Sequence, residues 1–153
     1  MNIRYAIKKD YLGVENIMQQ VQTMHVFWSP DIYQKVDIAM PKETFETLVF
    51  QKQLIVAEDE NHQILGIVSF EEKQKQAIHL VKRNIIYIHV IAIDEKYRGQ
   101  GIGSQLLDFM KKMAKDKHYD GLELSVNVHN QKAKSMYENY GFEEKSIHMN
   151  LKL

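Results

Sequence analysis

Ile85-Ile86-Tyr87-Ile88-His89-Val90-Ile91-Ala92-Ile93, followed closely by Arg98-Gly99-Gln100-Gly101-Ile102-Gly103, decides the fold. The first run is apolar on both parities, as expected of a central strand covered on both faces. The second run carries glycine at every other position and opens an amphipathic stretch, Ile102 to Lys117. Strand, glycine-rich turn and helix follow in that order. Glycines at positions 99, 101 and 103 keep side chains off the turn, so backbone N–H groups can approach a ligand closely. A helix N-terminus adds unpaired donors and the positive end of a dipole, which suits a phosphate. Arg98 adds a cation with bidentate geometry. The turn therefore points to a ligand carrying a phosphate or pyrophosphate.

Downstream, Gly121 breaks the chain and Leu122 to Val128 reads as a strand. A strand–helix–strand unit of this length implies a right-handed crossover and a parallel pair. Asn130 is placed to cap the next helix, whose inner stripe is Ala133, Met136, Tyr137 and Tyr140, and Gly141 is placed to end it. One or two final strands are expected from Phe142 onward. Upstream, Ile3 to Ile7 reads as a first strand, and Asp10 as the cap of a helix carrying Val14, Ile17, Met18 and Val21 at helical spacing. Ser29-Pro30 resembles a second helix start, and Pro41 a third, over Lys42 to Gln51. Leu54 to Glu58 is a strand, Asp59 to His62 its turn, and Gln63 to Glu71 the partner. Glu72 to Gln76 reads as a charged loop before the long strand, Lys82 to Ile93. Hairpins first and a βαβ unit later predict an α/β (α+β) fold: a mixed, mostly antiparallel sheet with one parallel pair and helices on both faces.

The chain has 153 residues, which suits a single domain over 1–153 with a real core. Lys+Arg and Asp+Glu balance at 20 each, so no global field recruits nucleic acid. The basic clusters at Lys111-Lys112 and Lys115/Lys117 fall on a helix face where solvation is the simpler reading, because Asp108 and Asp116 interrupt them. The absence of cysteine removes disulfides, thiolate metal sites and a covalent cysteine nucleophile, and fits a reducing compartment. Met1 to Tyr5 does not read as a secretory signal, and no apolar run reaches membrane-spanning length. A cytoplasmic location with no membrane partner is the expectation. His25, His62, His79, His118, His129 and His148 show no metal-ligand spacing, so no metal site is expected.

Two common phosphate loops fit badly. The P-loop needs Gly-Lys-Ser/Thr, whereas Gly103 is followed by Ser104-Gln105. The dinucleotide fingerprint needs a further glycine where Ser104 stands. With its flanks, however, the sequence resembles the GNAT family of acyl-CoA-dependent N-acetyltransferases. The family pattern Arg/Gln-x-x-Gly-x-Gly/Ala after a long strand stands here as Arg98-Gly99-Gln100-Gly101-Ile102-Gly103. A second pattern, Asn, then Ala three residues on, then Tyr before Gly-Phe, stands as Asn130, Ala133, Tyr137 and Gly141-Phe142. The resemblance is sharp from about Ile85 to Phe142 and rests on element order alone before that.

The resemblance implies acetyl-CoA as the ligand and assigns positions for it. Backbone groups of Ile91, Ala92 and Ile93, in a splayed part of the long strand, would hold the pantetheine and thioester. Arg98, Gly99, Gln100, Gly101, Ile102, Gly103 and Ser104 would hold the pyrophosphate, largely by main-chain N–H groups. Asn130 would contact the pantetheine arm and Tyr137 would lie near the sulfur. It also implies acetyl transfer to an amine, of a small molecule or a peptide, with Tyr137 as acid and a backbone N–H near Ile91 on the thioester oxygen.

The base is less sharply marked. Family members often carry a glutamate where this chain has His89. Histidine titrates nearest neutrality, yet removing a proton directly from an alkyl ammonium is uphill by about four pKa units, or ~5 kcal/mol. His89 would then act through water, or after attack has made the amine acidic. Glu71, Glu72 and Tyr87 are alternates, and a route with no dedicated base is also open. His25, Trp28, Pro30 and Asp31 lie where the family builds its acceptor pocket, with Tyr87 a further candidate, although aromatics covering a sheet edge would look the same. The lack of cysteine favours direct transfer in a ternary complex. Two competing readings stay open: a non-catalytic acyl-CoA-binding or regulatory module on the same fold, and a nucleotide-binding protein. Edge strands near the C-terminus would permit a homodimer.

Overall fold

The computed structural model describes residues 1–153. Its centre is a five-stranded sheet in sequence order: β1 (Asn2–Tyr5), β2 (Leu54–Glu58), β3 (Ile64–Lys75), β4 (Arg83–Ile93) and β5 (Gly121–Leu124). The first four strands pair antiparallel, and β4 and β5 are parallel. Four helices cover it: α1 (Tyr11–Trp28), α2 (Lys42–Phe50), α3 (Ile102–Asp116) and α4 (Gln131–Tyr140). The mixed sheet with one parallel pair is the one expected from the order of apolar runs.

The sheet divides two cores. On one face α3 buries Ile102, Leu106, Leu107, Met110, Met113 and Ala114 against Ile86 and Ile88 of β4. On the other, α1 and α2 bring Val14, Ile17 and Phe45 onto Val56 and Ile67. Strand β2 is buried at every position, which explains its lack of polar alternation. No helix is long and apolar enough to cross a membrane.

Several expectations need correction. Ser29-Pro30 does not start a helix. Serine 29 instead ends α1, its N–H donating to the His25 carbonyl at 2.9 Å, and Pro30 stops the helix because it has no N–H to continue the ladder. The loop that follows is strapped along α1. Gln22 donates to the Gln34 carbonyl and Gln19 to that of Asp37, each at 2.8 Å, and the Glu15 carboxylate accepts from the Ala39 and Met40 N–H groups. Asp10 stands just before α1 but does not cap it. Its carboxylate accepts from the Ile7 N–H and from Arg4, which also binds Glu58.

Residues 72–75 continue β3 instead of forming a loop. There the charged side chains alternate between exposed and half-buried positions and find ion-pair partners, Glu72 with Lys117 and Lys75 with Glu123, so the strand can run on without an apolar row. Strand β5 stops at Leu124, short of Val128. No strand follows Phe142.

Candidate functional site

The register of β4 creates the site. Ser69 pairs with Val90 and Phe70 with Ile88, so His89 has no partner on β3 and forms a bulge. The extra residue inverts the alternation of the strand. Below it Ile86 and Ile88 face α3; above it Ile91 and Ile93 face that core, and Val90 and Ala92 face the other. Pairing with β5 ends at the same level, at Ile88–Leu124. From His89 to Ile93 the edge of β4 toward β5 therefore has no strand partner, and the two strands splay. This is where Ile91, Ala92 and Ile93 were expected to offer backbone groups.

Beyond β4, a 3₁₀ turn (Glu95–Tyr97) leads into the glycine bend. Asp94 is buried and holds the bend's entrance, accepting from the Lys96 N–H at 3.0 Å and from Asn16 of α1 at 3.1 Å. Gln20, one turn further along α1, accepts from the Glu95 N–H at 2.9 Å. Neither Asn16 nor Gln20 was expected here, yet a polar i, i+4 pair beside an apolar stripe was a readable signal.

Gly99 and Gly101 have φ of +77° and +78°, which disfavour any side chain, and a Cβ built at either would meet nothing within 4 Å. No backbone N–H from Arg98 through Ser104 finds a protein acceptor; the first to do so is Gln105, on the Gly101 carbonyl. A row of free amides around left-handed glycines, leading into a fifteen-residue helix, presents the donor arrangement that an anion requires. Gly103 serves packing, since a Cβ there would stand 3.0 Å from the Met136 sulfur of α4.

Arg98 is placed differently from expectation. Its Nε donates to the Ile93 carbonyl at 3.1 Å, and its fork turns back toward Gln20. It pins the bend to the end of β4 and occupies one of the backbone groups anticipated for the ligand. Beside the bend, Ser104, Lys132, Ser135, Met136, Asn139 and Tyr140 line a groove of about 460 Å³ between α3 and α4.

Tyr137 lies on the inner face of α4, only 7% exposed, edge-on to Phe142. Burial pushes its pKa up to about 12. Its hydroxyl has no hydrogen-bond partner, and no fully buried side-chain polar atom lacks one, so the hydroxyl keeps an opening to solvent. Asn130 caps α4 as expected, Oδ1 accepting from the Ala133 N–H at 3.3 Å. Its amide nitrogen stays free.

Across the splay, a polar cluster surrounds the bulge. His89 Nε2 lies 3.3 Å from Glu71, and its ring stands edge-on to Tyr87 with centroids 5.0 Å apart. Tyr87 shares a 2.7 Å hydrogen bond with Ser125 and carries Lys73 over its ring. Partial burial, aided by Lys73, lowers the His89 pKa, which favours the neutral ring that can accept a proton. Glu72, an alternate base, points to the other face. Lys117 and Tyr119 bind it there, and their hydrogen bonds outweigh the upward push of burial to lower its pKa.

His25 and Trp28 end α1, with the His25 ring 4.7 Å from Tyr33 and 6.0 Å from Trp28. Burial lowers the His25 pKa. The ring contacts of this cluster stay within it, and Tyr87 and His89 form a separate pair. No group of three or more His, Asp or Glu side chains could hold a metal ion.

Comparison with known proteins fits this geometry. Residues 20–142 match the acetyltransferase (GNAT) family. An uncharacterized N-acetyltransferase of Methanocaldococcus jannaschii is 38% identical over 69 residues, covering 45% of this chain and 30% of that protein. The chain thus spans under a third of that relative's length. Among solved structures, a mutant of the BH1408 protein from Bacillus halodurans has a TM-score of 0.96 and 28% identity, covering 100% of this chain and 99% of that one. The aminoglycoside N-acetyltransferase AAC(6′)-Iy, solved in complex with CoA, has a TM-score of 0.73 at 12% identity, covering 99% and 98%, a likeness of fold alone.

Proposed function

The chain belongs to the acetyltransferase (GNAT) family, and on that premise we propose that it is a single-domain N-acetyltransferase moving the acetyl group of acetyl-CoA to a primary amine. The row of free amides from Arg98 to Ser104 carries the reading, because its donors suit a pyrophosphate and no protein acceptor satisfies them. Coenzyme A also has a solved precedent on this fold. The bound coenzyme supplies an activated acetyl thioester; all else falls to the chain.

The bend would hold the pyrophosphate, with the groove at Lys132 and Ser135 beside it for the nucleotide end. The open edge of β4 from His89 to Ile93 would hold the pantetheine arm, assisted by the free amide of Asn130. An N–H near Ile91 would stabilise negative charge on the thioester oxygen, a contribution typically worth about 2.7–4 kcal/mol.

Tyr137 would stabilise the leaving sulfur. A phenol near 12 against a thiol near 8.5 makes free proton transfer uphill by about 5 kcal/mol. That is steeper than unperturbed values would give. The hydroxyl therefore acts by hydrogen bonding to sulfur as charge develops, and it stays protonated throughout the neutral range. His89 would take the amine proton, held by Glu71 and kept neutral by its surroundings. The absence of cysteine favours direct transfer in a ternary complex over a covalent acyl-enzyme. His25, Trp28 and Tyr87 are the acceptor-side candidates, and the cytoplasm is the compartment that a cysteine-free acetyl-CoA enzyme fits.

The test is acetyl-CoA with a broad amine panel, following free thiol. Amine-dependent thiol release supports the reading. Tight CoA binding with no turnover across the panel would favour the non-catalytic module.

A further inference from the structure

The glycine bend is held from outside itself. Gly99 and Gly101 pack against nothing, since a Cβ at either would meet no atom within 4 Å. No amide from Arg98 through Ser104 is tied to a protein acceptor. Glycine also has the widest choice of backbone conformations. Such a bend keeps its donors aimed at one point only if neighbouring chain fixes where it starts and how it turns.

Part of that support is main chain. The Asp94 N–H donates to the Leu65 carbonyl of β3, and the Tyr97 N–H to the Asp94 carbonyl, each at 2.9 Å. The rest comes from α1. Asn16 Nδ2 donates to Asp94 Oδ2 at 3.1 Å, and Gln20 Oε1 accepts from the Glu95 N–H at 2.9 Å. The same Gln20 oxygen lies 3.5 Å from the Arg98 fork, whose Nε holds the Ile93 carbonyl. Residues 16 and 20 stand one turn apart on one face of the helix. Two side-chain amides therefore grip the turn at Asp94, Glu95 and Arg98. Their base is firm, because Val14 and Ile17 of α1 are fully buried. Between helix and bend lies a cleft of about 280 Å³ lined by Asn16, Gln20, Thr23, Glu95 and Arg98, with Met24 its one apolar wall residue. Hydrogen bonds, not apolar packing, span the gap there.

We propose that Asn16 and Gln20 are positioning residues for the coenzyme. Through Asp94, Glu95 and Arg98 they hold the bend in the conformation whose free amides meet the pyrophosphate, and neither side chain touches the ligand. A bend fixed beforehand binds without the cost of ordering it, and a released bend must be ordered by the ligand itself. The proposal rests on the coenzyme reading of the bend and adds the source of its rigidity. Glu15, Gln19 and Gln22, which strap the loop over 34–40, are different side chains, so the grip on the bend can be removed alone.

Calorimetry of the full chain with CoA tests it. Gln20→Met keeps the length of the side chain but removes the oxygen, and should bind CoA about fivefold more weakly, the worth of one net hydrogen bond. Asn16→Ala should weaken binding by a similar factor. Gln20→Glu restores an acceptor oxygen and should return most of the affinity. Circular dichroism and melting should show each variant folded. In the free Gln20→Met protein, ¹⁵N amide resonances should move at Arg98 through Ser104 and not in β2. A cycle with Gly101→Val, which displaces the bend directly, gives the sharpest arm. Adding Gln20→Met to it should cost little more, whereas independent sites would multiply their effects. Wild-type affinity in Gln20→Met while Gly101→Val is weakened would overturn the positioning role alone. Full multiplication of the two effects, or a Gln20→Glu variant as weak as Gln20→Met, would do the same. Unchanged affinity in Gly101→Val itself would instead overturn the coenzyme reading beneath it.

Discussion

The two sides of the β4–β5 splay are built from different materials. The side toward α3 is main chain: free amides, two left-handed glycines and an unpaired strand edge. The side toward α1 is side chain: His89, Glu71, Tyr87 and Ser125 around the bulge, and the separate ring cluster of His25, Trp28 and Tyr33. Backbone geometry can be held by a few turn residues while the rest of the sequence varies. Side-chain geometry has to be respecified for each acceptor. The first side suits a constant co-substrate, and the second a variable one.

That division can be broken by substitutions on either side. The largest effect is expected from Tyr137→Phe, which should lower kcat by about 10²–10⁴-fold with the dissociation constant of CoA nearly unchanged. Unaltered turnover would remove Tyr137 from the chemistry. Next, His89→Gln should lower kcat/KM for the amine by about 10²-fold. In wild type, activity should fall on acidification only below pH 6.5, because burial and Lys73 lower the His89 pKa and the neutral ring survives to lower pH. The variant should lose that acid limb. The raised Tyr137 pKa puts its loss of the proton near 12, so it contributes no alkaline limb near neutrality. A profile with the same acid limb in the variant would assign it to another group.

A smaller loss is expected at the bend. Gly101→Val forces a β-branched residue to φ +78°, costing about 1–3 kcal/mol of backbone strain. Calorimetry should therefore show CoA binding about tenfold or more weaker, with the acceptor KM unaffected at saturating co-substrate. The smallest change is expected from Trp28→Ala, a few-fold rise in acceptor KM with CoA binding intact. If CoA binding falls instead, the two sides are not separate.

Legibility in the sequence follows the same line. The bend, α3 and the Asn130-to-Gly141 helix were readable because each is specified locally, by a positive φ, a cap or a 3.6-residue stripe. The bulge was not, since His89 carries no turn signal and its unpaired state arises from the register of two distant strands. Ser29-Pro30 was misread because a serine before a proline marks either end of a helix, and the side-chain straps from Gln19, Gln22 and Glu15 decide which. Arg98 reads in the sequence as a cation for the ligand, but its attachment to the Ile93 carbonyl depends on how the bend folds back on β4. One or two strands were expected after Phe142, yet residues 143–153 make no backbone hydrogen bond to the sheet, which no local sequence signal reveals.

The central claim is that main-chain donors of the glycine bend receive the coenzyme. Titrating ¹⁵N-labelled protein with CoA and following amide resonances tests it most directly. The account predicts that the largest saturable shifts fall on Arg98 through Ser104. Saturable binding that leaves those resonances in place and moves others would contradict it.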